Sequence, residues 1–224
     1  MLHKKVMNQH RIVGKFAAWA VSFLGVVYAI ALVLGLLSLK SSQAPIGDPF
    51  FTILELLILF MAPLLAISMV AVHAYASPDV KVYSLTALVF MILLAGITSS
   101  VHFVILTVSH QIEATELTGV SLLLSFKWPS VAYALDILAW DWFFALSMLF
   151  AAPVFKKGRL ETSVRILMII TGILSLVGLM GVPLANMQVR MIGVLGYAGL
   201  SPIVFLLLGI VFSRSQMSND IRIK

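Results

Sequence analysis

"FAAWAVSFLGVVYAIALVLGLLSL", residues 16–39, runs for 24 residues without a charged side chain. At a rise of 1.5 Å per residue, a helix of that length reaches about 36 Å, enough to cross the roughly 30 Å hydrocarbon layer of a bilayer. The run is too long for the apolar core of a secretory signal peptide, and more of the same kind follow, so the first helix is expected to be retained as a signal anchor.

Working outward, runs of about 20 apolar residues fall at 16–39, 50–75, 82–110, 131–155, 163–183 and 190–212. Across all 224 residues the sequence is 61% hydrophobic and 11% charged, with a mean hydropathy of +1.09. Soluble domains lie far from these values. Lipid admits only helices or closed barrels, because every backbone N–H and C=O must be paired internally, and long runs without alternation exclude barrel strands. The expected fold is therefore all-α: one polytopic transmembrane domain of six helices, with a longer outer loop at 111–130.

Six spans put both termini on one side. The segments on that side hold Lys4, Lys5, Arg11, Lys15, Lys81, Lys156, Lys157, Arg159, Arg165, Arg214, Arg222 and Lys224, which is 12 of the 15 basic residues, and the other side holds Lys40, Lys127 and Arg190. By the positive-inside rule both termini are expected to be cytoplasmic, as in a multi-pass protein of a bacterial inner (plasma) membrane. The net charge of +6 thus reads as a topology signal with the lipid bilayer as partner. It does not point to nucleic acid, since no Lys/Arg block is interleaved with stacking aromatics. Cysteine is absent, which excludes disulfides, thiolate metal sites and thiol redox chemistry.

Small residues predict where helices meet. Gly172, Ser175, Gly178 and Gly181 in span five, and Gly193, Gly196 and Gly199 in span six, allow close backbone approach, so these spans should pack tightly near their outer ends. Pro63 and Pro202 fall mid-span and should kink spans two and six.

The ionisable residues inside the runs are few and gather in one half of the membrane. From the orientation above, Glu55 lies about 8 Å below the outer boundary, His102 about 12 Å, Asp136 about 8 Å and Asp141 about 15 Å, close to the midplane. Charge at such depth is costly, and such groups usually face the bundle interior and mark a site. Tyr133, Asp136 and Trp140 share a helical face, whereas Asp141 is turned about 140° from Asp136 on an ideal helix. Both acids can look inward only if span four is central or a π-bulge realigns it. On span three, Ser99 and His102, then Ser109 and Glu113, trace a polar face toward the outer mouth. Glu55 can alternatively be solvated or pair with Arg190, and Asp136 can be held by a serine or by Tyr133. His73, at the other end of span two, reads as structural; His110, Glu113 and Glu116 read as solvated; Trp19 and Trp128 read as interfacial anchors.

No P-loop, HExxH, repeated His box, GxSxG or DDxxD-type cluster occurs, and the ligand spacing indicates neither a metal nor a cofactor. Three readings remain. In the first, the chain is an acid–base enzyme of the isomerase, cyclase or hydratase type acting on a lipophilic small molecule. An apolar setting favours the protonated carboxyl, which makes Asp141 the general acid with Asp136, His102 or Glu55 as proton acceptor. The rings of Trp140, Trp142 and Phe143 would stabilise a developing cation, with Tyr133 and Ser99 beside them on the substrate. That chemistry is similar to what integral membrane terpene cyclases and sterol isomerases perform, and no motif carries the likeness further. In the second, Glu55, His102 and Asp141 form a relay or cation site of a proton- or cation-coupled transporter, whose pathway could be completed by an oligomer. In the third, the chain is a non-catalytic membrane subunit or sensor whose polar residues fix helix register, and whose amphipathic "VSLLLSFKW" (120–128) lies on the membrane or caps the site.

Overall fold

The computed structural model describes residues 2–39, 46–109 and 119–221, with side chains from Gln9 to Arg214 except at 109, 120 and 121. His110, Glu113 and Glu116, and the side chain of Ser109, lie outside the described residues. Those described form helices and turns, with no strand among them. Six helices are long and apolar enough to cross a membrane: Gln9–Leu37, Phe50–Tyr75, Pro78–Val108, Val131–Val154, Gly158–Leu179 and Met187–Arg214. The chain is a multi-pass helical bundle of the integral membrane type.

The spans form a closed ring in chain order: each packs against the next, and span six returns to span one. Span four is pushed furthest inward, with 61% of its most apolar window buried against 28–50% for the others. Its Trp140, Phe144 and Met148 meet Leu65 and Met69 of span two, Met91 and Leu94 of span three, Met168 of span five and Phe205 and Leu208 of span six in one core. The outward faces carry Phe23, Phe60, Val82, Ile92 and Leu195, the apolar surface that lipid requires.

Four boundaries differ from hydropathy, each for a local reason. Span one continues as helix back to Leu2, because the polar residues that precede the apolar run are not helix breakers. Span five starts at Gly158, not 163: the Glu161 carboxylate accepts the backbone N–H groups of Lys156 at 2.9 Å and Lys157 at 2.8 Å, satisfying orphan donors at the helix start. It ends at Leu179, because Gly181 and Pro183 lie in a turn closed by Ala185 at φ 51°. Span six then begins with Asn186 as N-cap, its side chain accepting the Gln188 N–H at 3.0 Å. This places Arg190 inside the first turn instead of at its edge.

The prolines act through helix type. Span two stays continuous through Pro63. Pro202 is preceded by a π-helical stretch, Leu195–Leu200, where the wider turn accommodates the missing N–H. Two further π-helical stretches are Ile105–Ser109 in span three and Leu138–Phe144 in span four. All three lie in the same half of the bundle, toward the ends of spans three and four that face the 119–130 segment.

At the opposite, basic end, the Tyr75 hydroxyl donates to Glu161 Oε1 at 2.7 Å, and Lys156 pairs with Asp79 at 2.5 Å. His73 Nδ1 meets Ser84 Oγ at 2.9 Å. These contacts staple the helix ends, which is the structural place expected of His73.

Candidate functional site

The π-helical stretch Leu138–Phe144 resolves the geometry of the two acids in span four. Its wider turns, closed by i→i+5 backbone hydrogen bonds, narrow the angle that separates Asp141 from Asp136 on an ideal α-helix. Between them enters Arg190 from span six. Its Nη2 donates to Asp136 Oδ2 at 3.0 Å and its Nε to Asp141 Oδ2 at 3.1 Å. Nη1 donates to the Tyr133 hydroxyl at 2.6 Å, and the guanidinium carbon lies 4.5 Å from the Tyr133 ring centroid. A planar fork with donors in fixed directions suits this three-way contact.

The network continues through Asp136. Its Oδ1 lies 3.3 Å from His102 Nε2, and His102 Nδ1 is 2.6 Å from Glu55 Oε2. The order is therefore Glu55, His102, Asp136, Arg190, Asp141, drawn from spans two, three, four and six. Each member is at most 7% exposed.

Asp141 is sealed by backbone. Its Oδ1 is buried without a hydrogen-bond partner. A methyl group on Gly193 would sit 2.2 Å from that oxygen and one on Gly178 would sit 3.0 Å from it. The same two glycines meet each other, with Gly193 Cα 2.6 Å from where a Gly178 Cβ would be. Tight packing of spans five and six near this end is thus realised, and Gly181 and Gly196 add to it; Gly199 faces open space.

The remaining expected site residues go elsewhere. Trp140 is buried behind the network, its Nε1 donating to Thr98 Oγ1 at 3.1 Å and its ring 5.3 Å from Tyr197 and 5.6 Å from Phe144. Trp142 is 41% exposed on the outside of the bundle. Phe143 stacks on Phe90 at 6.1 Å. These three rings line no common wall with Asp141, because the same π-stretch that turns the acid inward spreads its neighbours around the helix. Ser99 is half-buried and takes no part in the network's hydrogen bonds; its neighbour Thr98 faces the core instead. The alternative partner suggested for Glu55 is also corrected: Arg190 serves Asp136 and Asp141, and Glu55 serves His102.

Two contributors stand outside the expected site residues. Arg190, considered only as a partner of Glu55, is the centre of the site, and Phe126 of the 120–128 segment covers it: the Phe126 ring lies 5.5 Å from the His102 ring and 5.2 Å edge-on to Tyr133. The short helix Val120–Leu124 turns Leu122 and Leu123 outward, so the amphipathic segment both presents apolar side chains to its surroundings and caps the network. Asn186 three residues after Pro183, a cap signal, could have drawn Arg190 into span six; no comparable signal marks Phe126.

Among the described residues, no group of three or more His, Asp or Glu is arranged to hold a metal ion. Comparison of the chain with protein-family models, curated proteins and solved structures gives no match to any of them.

Proposed function

We infer that the chain acts as a non-catalytic membrane subunit or sensor, in which the network is a proton-sensitive lock joining spans two, three, four and six. The observation that carries this reading is the mutual pairing of five buried ionisable side chains around Arg190. Three carboxyls face one guanidinium and one imidazole. Even with His102 protonated, the sum is one negative charge, so neutrality requires one further proton. An uncompensated charge in a dry interior costs several kcal/mol, roughly half or more of a typical domain's stability.

The sign of the pH response follows. Protons beyond the one that neutrality requires leave the two cations with less compensation, and the lock loosens. The groups facing His102 are Glu55, Asp136 and, through Asp136, Arg190, Asp141 and Tyr133. Because the chain lacks cysteine, Ala132→Cys, buried beneath Phe126, gives a label-accessibility probe on a clean background. The thiolate is the reacting species, so its rate is referred to Lys127→Cys, which is exposed. Relative labelling of Ala132→Cys should rise as pH falls. A ratio that stays flat, and is the same with His102→Gln, sinks the reading.

The acid–base enzyme is the second reading, favoured by one specific observation: His102 sits between two carboxylates directly under an aromatic side chain from the 119–130 segment. In it His102 exchanges the proton, Glu55 and Asp136 set its orientation, and Asp141 positions Arg190 from behind. A lipid-like molecule seated between Phe126 and His102 in an experimental map would bring this reading forward. Transport would need a polar route onward to the basic end, where the polar contacts of the described residues join helix ends to one another.

A further inference from the structure

Span five opens on charge that its own helix does not neutralise. Lys156, Lys157, Arg159 and Arg165 surround a single acid, Glu161. A glutamate four residues before an arginine is the favourable order for a helical ion pair, and Glu161 stands four before Arg165. The pair does not form, because both carboxylate oxygens are turned inward. Oε1 accepts from the Tyr75 hydroxyl at 2.7 Å, and Oε2 accepts from the Lys156 and Lys157 N–H groups at 2.9 and 2.8 Å. Asp79, the other acid whose side chain is described at this end, pairs with Lys156. The exposed side chains of Lys157, Arg159 and Arg165 thus have no ion pair among the described residues.

The two arginines also sit at particular depths. Arg165 directly precedes Ile166, which with Ile170 and Ile173 is 41–50% exposed on the outward face of the span. These three isoleucines follow Arg159 by 7, 11 and 14 residues, a spacing that sets them in one line below it. Arg159 lies six residues, about 9 Å, beyond Arg165 along the helix. The head-group layer of one leaflet is about 5–8 Å deep, so the two guanidiniums bracket it. Thr162 and Ser163 lie between them, but their hydroxyls donate to the Gly158 and Arg159 carbonyls, each at 3.0 Å. The guanidiniums are left as the donors at this level.

We propose that the basic end of span five binds an anionic phospholipid, with the phosphate held between Arg159 and Arg165 and an acyl chain along Ile166, Ile170 and Ile173. The planar guanidinium fork matches phosphate oxygens, and the lipid supplies the negative charge that Glu161, committed to Tyr75 and the helix start, does not. The site lies at the opposite end of the bundle from the ion network and does not depend on its function.

The test is native mass spectrometry of the full chain in mild detergent with equal phosphatidylglycerol and phosphatidylcholine of identical acyl chains. A cation near the membrane surface changes occupancy by an anionic lipid about fivefold. Phosphatidylglycerol adducts should dominate, and Arg159→Gln and Arg165→Gln should each lower the ratio of the two lipids by about that factor. Lys127→Gln removes one exposed charge at the other end and should leave the ratio within about twofold of wild type. Arg159→Lys/Arg165→Lys keeps the charge in place and should retain most of the preference. Equal binding of the two lipids by the wild type, or an unchanged ratio in Arg159→Gln/Arg165→Gln, overturns the proposal. So does an equal fall in Lys127→Gln, which would make the preference a property of total charge, or a Lys variant that falls as far as the Gln variant, which would trace the loss to the helix and not to its charge.

Discussion

Gly193 and Asp141 are fitted to each other: a Cβ on the glycine would fall 2.2 Å from Oδ1 of the acid. The absence of a side chain in span six is what lets a carboxylate from span four stand between spans five and six. Gly193→Ala should therefore push Asp141 off Arg190. Overpacking costs about 1–3 kcal/mol, and the lost ion pair adds to it. Gly199→Ala, into open space, should be neutral or stabilising by up to about 1 kcal/mol. Thermal unfolding of the purified variants compares the two, and equal melting temperatures would contradict the fit.

Arg190 pairs with both Asp136 and Asp141, so its removal leaves Asp141 without its cation and Asp136 with His102 alone. Arg190→Met should destabilise by about 3–5 kcal/mol, the usual cost of stranding a buried charge. Adding Asp136→Asn and Asp141→Asn should recover most of that loss. Arg190→Lys should recover little, because one ammonium cannot reproduce donation to Asp136, Asp141 and Tyr133 together. A triple variant no more stable than Arg190→Met would argue against the network as the source.

Span four's tryptophans should behave oppositely. Trp140→Phe keeps most of the ring but strands Thr98 Oγ1, a loss of about 1–3 kcal/mol. Trp142→Leu, on the outer face, should change stability by no more than about 0.5 kcal/mol. Denaturation of both variants under one condition checks the contrast; a larger loss at Trp142 would place that side chain in a protein contact.

At the basic end, Tyr75→Phe removes a single hydrogen bond to Glu161, about 1 kcal/mol. Glu161→Ala removes that bond and also the acceptor of the Lys156 and Lys157 N–H groups, and should cost more, with faster amide exchange at 156 and 157 as the local readout. Unchanged exchange there would mean that solvent satisfies those groups equally well.

Span number, the all-helical fold and the grouping of Glu55, His102, Asp136 and Asp141 could be read from the sequence, because apolar length and intramembrane charge are both costly enough to leave an unmistakable pattern. The condition for the two acids to converge could be stated too, and it is met by the π-helical turn of span four. Arg190 was misplaced because hydropathy alone sets span limits by composition, while the true start of span six is set by the Asn186 cap. The inward turn of Phe126 and the outward turn of Trp142 depend on tertiary packing and on one extra residue per turn, neither of which a residue list records.

The ion network also has an order in time. Asp141 precedes Arg190 by 49 residues, and chains are made and assembled from the N-terminus. Span four therefore leaves the ribosome with two acids and no cation, and must wait through the synthesis of span five for its counter-charge. The network is complete only when span six docks, so a chain stalled before Arg190 would present an unpaired acidic helix to whatever surveys the membrane for unfinished proteins.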